Sequence, residues 1–233
     1  IFSVDLESGG VKRIISIDRI LQCEKEPDFG SAKHWIEHIM LNPSGTRFAF
    51  YHRYSKENGY RTRALTSNLN GNDLFLLPGW RDSEYSHLGW KNDNEYIIYT
   101  GQRLSVGKAY DRIINISRWG LLISKVYRRF LASHVPKKIR NATLSTSAFK
   151  IYRDRYGATG EYATEILPND GHPSFTIDGI YMLTDTYADA DGYRHLLVFN
   201  NQTGKIIELG RFYSPFNNCG YRSDLHPRFS LDR

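Results

Sequence analysis

A motif that opens on histidine recurs four times along this chain of 233 residues and constrains its fold more than any other feature. In each copy a large apolar side chain follows three residues after the histidine, and a serine or aspartate that favours a turn follows after six. Half of the eight histidines therefore occupy one equivalent position. The four copies begin at His38, His87, His172 and His226.

The residues between the motifs read as short strands. Segments 1–15, 64–77 and 195–209 each contain two apolar stretches joined by a polar turn with glycine, which is typical of a β-hairpin. One more strand separates the histidine motif from the hairpin, so the repeat unit is four strands and the histidine opens the first. Four-stranded units at a period of about 40–50 residues predict the blades of a β-propeller.

We therefore expect an all-β chain that forms a partial β-propeller with a helical insertion. The end of one blade is expected at 1–20, further blades at about 34–80, 84–167 and 170–212, and the start of another at 224–233. A propeller closes with four to eight blades, so the remaining blades are expected to lie outside this chain.

The helical insertion is expected at about 104–147. Apolar residues from Ile116 to Leu131 recur at helical spacing, and basic residues such as Arg128 and Arg129 occupy the other face. Such a helix could contact a membrane surface or a polyanion, or it could pack across its own domain with a solvated charged face.

Composition narrows the class of partner. The net charge is +6 and the sequence pI is about 9.2, which permits an anionic partner. We expect an anionic polysaccharide or oligosaccharide, no nucleic acid and no membrane span, because no apolar run approaches the length of a spanning helix. The chain opens on what reads as a strand already under way, so the absence of a signal peptide is uninformative, and a periplasmic or secreted location is slightly favoured over a cytoplasmic one.

The histidines are the candidate functional residues. The first strand of each propeller blade is innermost, so four equivalent imidazoles should meet around the central channel, where they could bind a metal or act as acid and base. The alternative is that each histidine only forms hydrogen bonds within its own blade. Cys219, seven residues before His226, could join His172 and His226 as a zinc ligand, or it could be an ordinary buried thiol. With Cys23 it could also form a disulfide.

Several later segments resemble the β-propeller polysaccharide lyases, namely the oligogalacturonate-lyase-like and ulvan-lyase-like proteins. The resemblance rests on residues 171–179 (GHPSFTIDG), 184–187 (TDTY), 210–212 (GRF) and 224–230 (DLHPRFS). Earlier motifs are similar to those of many propellers, including TolB-like ones. The likeness spans most of the chain outside the insertion. Relatives often carry a cysteine where this chain has Ser223, which puts a family-type zinc site in doubt.

The resemblance implies a lyase that cleaves a uronic-acid-containing polysaccharide by β-elimination. That reaction needs a positive group beside the carboxylate, a base for the neighbouring proton and an acid for the leaving oxygen. The resemblance implies base candidates at His38, His52 and His87, and Arg53 as the positive group. The alternative function is a non-catalytic propeller that serves as a protein- or glycan-binding platform.

The remaining expectations concern substrate, acid and metal. We expect substrate contacts from Arg194, Arg222 and Tyr187, and Tyr54 and Tyr152 are the candidate acids. The metal ligands implied are His172 and His226, with Cys219 as a substitute for the family's thiol. The ion would be divalent, such as Zn, Mn or Ca.

Overall fold

The computed structural model describes residues 1–57, 59–102, 147–167, 169–215 and 223–230. Their regular structure is almost entirely β. The chain opens on a short hairpin and a helix, which consist of β1 (Phe2–Val4), β2 (Val11–Arg13) and α1 (Ile17–Cys23). The expected helical insertion at about 104–147 lies outside the described residues except at its last position.

Three four-stranded antiparallel sheets follow, and in each of them the strands are neighbours in chain order. The first sheet contains β3 (His34–Leu41), β4 (Arg47–Lys56), β5 (Gly59–Asn68) and β6 (Phe75–Leu76). The second contains β7 (Ser83–Trp90), β8 (Glu95–Gln102), β9 (Ala148–Arg153) and β10 (Gly157–Glu161). The third contains β11 (Ser174–Phe175), β12 (Tyr181–Asp185), β13 (Tyr193–Asn200) and β14 (Ile206–Tyr213).

The sheets pack face to face, and two apolar clusters join them. One cluster buries Ala49 and Tyr51 of the first sheet against Leu88 and Trp90 of the second. The other buries Phe149 of the second sheet together with residues of the third, including Met182 and Phe199. The first strands of the three sheets also lie side by side, because β7 contacts both β3 and β11. This radial stack of meandering sheets confirms the expected partial β-propeller.

Helix α1 covers the outer face of the first sheet. Ser16 caps it by accepting a hydrogen bond from the backbone N–H of Arg19 at 3.3 Å. Ile20 is fully buried and packs in one cluster with Phe48 and Phe50 of β4. The sequence does not predict this helix, because Ile20 is its one buried residue and a single position shows no helical spacing of apolar side chains. In the described part of the chain, no helix is long and apolar enough to cross a membrane.

Candidate functional site

The four histidines of the repeated motif form one continuous row of rings. The ring centroids are 5.6 Å apart between His38 and His87, 4.0 Å between His87 and His172, and 3.7 Å between His172 and His226. The rings therefore meet across three sheets, as the register of the sequence motif predicts. This row is called the histidine row below.

Local backbone irregularities aim these side chains inward. The pairing of β3 with β4 shifts between Glu37 and Met40, and that of β7 with β8 shifts between Tyr85 and Leu88, so each strand bulges where its histidine lies. His38 has φ of 57°, and His226, which precedes a proline, has φ of 47°. Left-handed backbone is uncommon for residues other than glycine and often occurs at functional sites.

Asp170 holds the ring of His87. Both carboxylate oxygens of Asp170 lie 3.2 Å from Nδ1 of His87, and Ser86 donates a hydrogen bond to the same carboxylate at 2.5 Å. A carboxylate accepts hydrogen bonds, so Nδ1 carries the proton and Nε2 of His87 keeps its lone pair.

Asp185 holds the ring of His172 in the same way. Its Oδ1 lies 2.8 Å from Nδ1 of His172, and the side chain of Asp185 is fully buried. Burial by itself would raise the pKa of Asp185, but the hydrogen bonds from His172 outweigh it and lower the pKa to about 2. Nε2 of His172 is buried and has no hydrogen-bond partner among the described residues.

His172 also belongs to a group of three side chains that could hold a metal ion. Ligand atoms of His172, Asp224 and His226 all lie within 4.8 Å of one another. Two imidazole nitrogens and one carboxylate oxygen suit zinc or manganese better than calcium, which prefers oxygen ligands throughout. Asp224 was not among the predicted ligands, and the predicted ligand Cys219 lies outside the described residues, so its role stays a prediction.

The two outer rings of the row, those of His38 and His226, lose a proton more readily than an ordinary histidine. Burial lowers the pKa of His38, and the neighbouring His87 adds to the effect. Burial and the nearby His172 lower the pKa of His226. Both rings are therefore neutral at neutral pH, which is the form that accepts a proton or binds a metal.

Tyr51 is a member of the site that sequence reasoning missed. Its ring centroid lies 5.3 Å from that of His38, it is fully buried, and its hydroxyl has no hydrogen-bond partner in the described part of the chain. Burial raises its pKa well above the usual value, and the charge of Asp170 acts in the same direction. Nothing in the sequence alone places Tyr51 beside His38, because their contact depends on the pairing of β3 with β4.

The two tyrosines proposed as acids lie elsewhere. Tyr54 packs edge-on against Phe29 at 4.9 Å and against Trp80 at 6.4 Å. Tyr152 stacks on Tyr96 at 5.8 Å inside the core between the first two sheets. Neither has a ring contact with the histidine row.

Strand alternation separates His52 from the histidine row. Tyr51 and Arg53 point to one face of β4 and His52 to the other. His52 is fully buried, and its Nε2 lies 3.0 Å from Nδ1 of His34. His52 therefore lies apart from His38 and His87, and its role as a base stays a prediction.

Arg53 lies on the same face as Tyr51 but is already paired. Its Nη1 forms an ion pair of 2.9 Å with Glu37, and its guanidinium stacks over the ring of Tyr60 at 4.7 Å. Glu37 also contacts Nδ1 of His38 at 3.3 Å. Glu37 therefore links Arg53 to the histidine row, because it contacts both Arg53 and His38.

The expected substrate-binding residues differ in their surroundings. Arg194 is only 2% exposed, and its Nη1 forms an ion pair of 2.6 Å with Asp224, so it supports a metal-ligand candidate and is closed to substrate. The ring of Tyr187 lies 6.0 Å from that of His87 and 6.2 Å from that of His172. Arg222 lies outside the described residues.

A cavity of about 520 Å³ adjoins the histidine row, which is within the usual range for small-molecule sites. Asp170, Asp185 and Tyr187 form the wall nearest the histidines. The remaining wall combines apolar and polar side chains from β12, from β13, from the segment before β11 and from the segment that joins β12 to β13, namely Ile166, Leu167, Asn169, Thr184, Thr186, Ala188, Asp189, His195 and Leu197.

Comparison with known proteins adds only distant likenesses. No family model and no curated protein matches the chain, so the resemblance to polysaccharide lyases gains no support from a family match. A structure from Bacteroides ovatus, provisionally named a dipeptidyl aminopeptidase IV, is similar at 12% identity and a TM-score of 0.46, over 90% of this chain and 33% of that one. The isopeptidase AtxE2 is similar at 14% identity and a TM-score of 0.29, over 73% of this chain and 25% of that one. This chain thus spans a third or less of either protein.

Proposed function

We propose that the protein is a carbohydrate-active propeller that cleaves a uronic-acid-containing anionic polysaccharide or oligosaccharide by β-elimination. The observation that carries the proposal is the histidine row, in which carboxylates orient two rings and a possible metal-binding group lies at one end. Proton abstraction beside a carboxylate needs a neutral base next to a positive charge, and this arrangement can supply both.

His87 is the base in this proposal. Asp170 holds the proton on Nδ1, so Nε2 is the atom that removes the proton beside the uronate carboxylate. The electron pair of the broken C–H bond forms the new double bond, and the glycosidic C–O bond at the next carbon breaks. Asp170 also stabilises the imidazolium that results, because its carboxylate stays within hydrogen-bond distance of Nδ1.

The leaving oxygen must receive a proton, and we assign this step to the pair of His38 and Tyr51. The raised pKa of Tyr51 keeps its hydroxyl protonated, so it can donate. Tyr51 itself is buried, whereas the side chain of His38 is 30% exposed. A neutral imidazole can accept a proton at one nitrogen and release another from the second, so His38 would pass the proton of Tyr51 to the leaving oxygen. After the product leaves, the proton that His87 took up would return to Tyr51 through His38, whose ring centroid lies 5.6 Å from that of His87.

His172, Asp224 and His226 would hold the divalent ion, which would supply the positive charge that neutralises the uronate carboxylate. Arg53 and Arg194 are cations near the row, but their charges are already balanced by Glu37 and Asp224. The adjoining cavity offers space for a sugar beside the row, and its polar wall can form hydrogen bonds with hydroxyl groups.

The test is a direct assay of elimination. The protein is incubated with pectic, ulvan-type and glycosaminoglycan polymers, and the ultraviolet absorbance of the unsaturated uronate product is followed. We expect absorbance to rise with at least one polymer and to be lost in His87→Gln. No rise with any polymer, or a rise unaffected by that substitution, would contradict the proposal. Binding of a polymer without turnover would favour the binding-platform alternative.

A further inference from the structure

Asp185, the last residue of β12, connects two copies of the histidine motif. Its Oδ1 accepts hydrogen bonds from both the backbone N–H and Nδ1 of His172, each at 2.8 Å. Its Oδ2 accepts hydrogen bonds from the backbone N–H groups of Leu225 at 3.0 Å and His226 at 3.1 Å. One carboxylate therefore joins two segments of the chain through four hydrogen bonds.

Because the side chain of Asp185 is fully buried, the fold must supply the hydrogen bonds that its carboxylate would otherwise form with water. A carboxylate removed from water is costly unless its oxygens accept hydrogen bonds, and here each oxygen accepts two. The backbone of Gly171 also lies against the carbonyl oxygen of Asp185 so closely that a Cβ at that glycine would be 1.9 Å from it. No larger residue fits at position 171 in this arrangement.

The first consequence concerns the tautomer of His172. Because Oδ1 can only accept, Nδ1 must donate, and the lone pair of His172 is confined to Nε2. That nitrogen is buried with no hydrogen-bond partner among the described residues, although buried polar atoms are nearly always satisfied. A bound cation would satisfy it.

The second consequence concerns residues 224–226. The two backbone hydrogen bonds to Oδ2 hold His226 in its left-handed conformation, with φ of 47°. They also fix the direction of the chain just after Asp224, whose carboxylate forms an ion pair of 2.6 Å with the buried Arg194. His226 and Asp224 are thereby brought to the ring of His172.

We propose that Asp185 is a positioning residue that sets the tautomer of His172 and holds residues 224–226 against it, so that His172, Asp224 and His226 can share one metal ion. Supporting carboxylates of this kind orient histidine ligands in many metal sites. The inference rests on the metal-binding part of the proposed function and does not require the lyase reaction.

The main experiment compares zinc affinity in the whole protein with and without the carboxylate. We expect Asp185→Asn to weaken zinc binding by roughly 10–100-fold, measured by competition with a chromophoric chelator. The amide can accept through only one atom, so its NH2 group faces either Nδ1 of His172 or the N–H groups of Leu225 and His226. In the first case the proton of His172 moves to Nε2, and in the second the 225–226 segment is repelled.

Asp189→Asn is the matched control. Asp189 also forms a pair with a histidine of the third sheet, at 3.0 Å from Nε2 of His195, but among the described residues it accepts no hydrogen bond from the three candidate ligands. We expect its zinc affinity to equal that of the unmodified protein. An equal loss in both variants would mean that any lost carboxylate weakens binding, and would overturn the specific role of Asp185.

A second measurement needs no variant and remains decisive if Asp185→Asn fails to fold. Nitrogen chemical shifts of the metal-free protein should show His172 protonated at Nδ1, with zinc then shifting the Nε2 signal. Protonation at Nε2 in the metal-free protein would overturn the inference. Unchanged zinc affinity in a folded Asp185→Asn variant would do the same and leave the lyase proposal standing. Lost zinc affinity together with no elimination activity in the unmodified protein would support Asp185 and contradict the lyase.

Discussion

Strands β3 and β4 carry members of two groups of histidines, namely the pair His34 and His52 and the histidine row, which begins at His38. The two groups differ in the hydrogen bonds that their ring nitrogens form. His34 and His52 stack at 5.2 Å within one sheet, and Nε2 of His34 donates to the backbone carbonyl of Phe29 at 2.9 Å. The histidine row instead crosses three sheets, and carboxylates bind its rings at Nδ1. In the pair, Nδ1 of His52 is buried without a hydrogen-bond partner among the described residues, and no described carboxylate binds either ring, whereas in the row carboxylates fix Nε2 of His87 and His172 as the nitrogens that keep a lone pair.

The comparison shows that residue type and burial do not identify a functional histidine. His52 is fully buried, and burial lowers its pKa to about 3, with further contributions from Arg63 and His34. It therefore stays neutral throughout the range in which a base would work, but its Nε2 is occupied by His34. What distinguishes the row is a carboxylate on one side of the ring and an open nitrogen on the other.

The largest expected effect is on catalysis, and it separates the two groups directly. His87→Gln removes the proposed base and should lower the rate of elimination by about 10²–10⁴-fold. His52→Gln keeps a donor for His34 and should cause no comparable loss. Rates with the best polymer substrate, measured after both variants are shown to be folded by circular dichroism, check the comparison. A similar loss in the two variants would remove the distinction between row and pair.

Metal binding should show the next largest difference. His172→Ala removes a candidate ligand and should weaken zinc binding by more than the roughly 10–100-fold expected for loss of a supporting group. His34→Gln is the control from the pair and should leave zinc affinity unchanged. Chelator competition and the metal content of the purified protein are the measurements. Equal zinc content in both variants would argue against the ligand set.

His52, one member of the pair, should make the stability of the protein fall in acid. The unfolded protein protonates His52 near pH 6.5, whereas the folded protein does so only near pH 3. Between these values the unfolded state binds the extra proton, so this contribution to stability is present above pH 6.5 and is lost as the pH falls, by up to about 1.4 kcal/mol per pH unit. His52→Gln should lose less stability than the unmodified protein between pH 7 and pH 4 in urea titrations. Parallel curves would contradict this role.

The smallest expected effect is on the free energy of unfolding, and it concerns the close contact between the backbone of Gly171 and that of Asp185. An alanine at position 171 would place its Cβ 1.9 Å from the carbonyl oxygen of Asp185 and 2.7 Å from Oγ1 of Thr184. We expect Gly171→Ala to lower the free energy of unfolding by about 1–3 kcal/mol, because overpacking forces the backbone to shift. At Gly30 the same Cβ meets nothing within 4 Å, so Gly30→Ala is the matched control. Urea unfolding of both variants measures the difference, and equal values would show that the approach is not tight.

Much of the fold is predictable from the sequence because each blade repeats the same local pattern. The alternation of apolar residues and glycine turns predicts four strands per unit, and the sheets form in that order. Helix α1 was not anticipated, since a single buried residue at Ile20 gives no helical periodicity. Cys219 and Arg222 lie outside the described residues, so their proposed roles remain predictions.

The site was predictable only in part. The shared register of the motif indicated that four rings would meet, whereas the family resemblance added His52 as a base candidate and assigned no role to Tyr51. Those two residues are adjacent in β4, and strand alternation sends their side chains to opposite faces. The sequence offered no reason to assign Asp224 as a ligand, because its proximity to His172 depends on the folded chain.

The repeat of the histidine motif by itself determined that equivalent positions converge, because blades that pack around one axis bring equivalent residues together. Only the tertiary structure decided which ring nitrogens are available for chemistry. The carboxylates responsible come from other segments of the chain, since Asp170 lies 83 positions after His87 and Asp185 lies 13 positions after His172. Hydrogen bonds over such separations depend on which strands and loops become neighbours, and no local pattern records that.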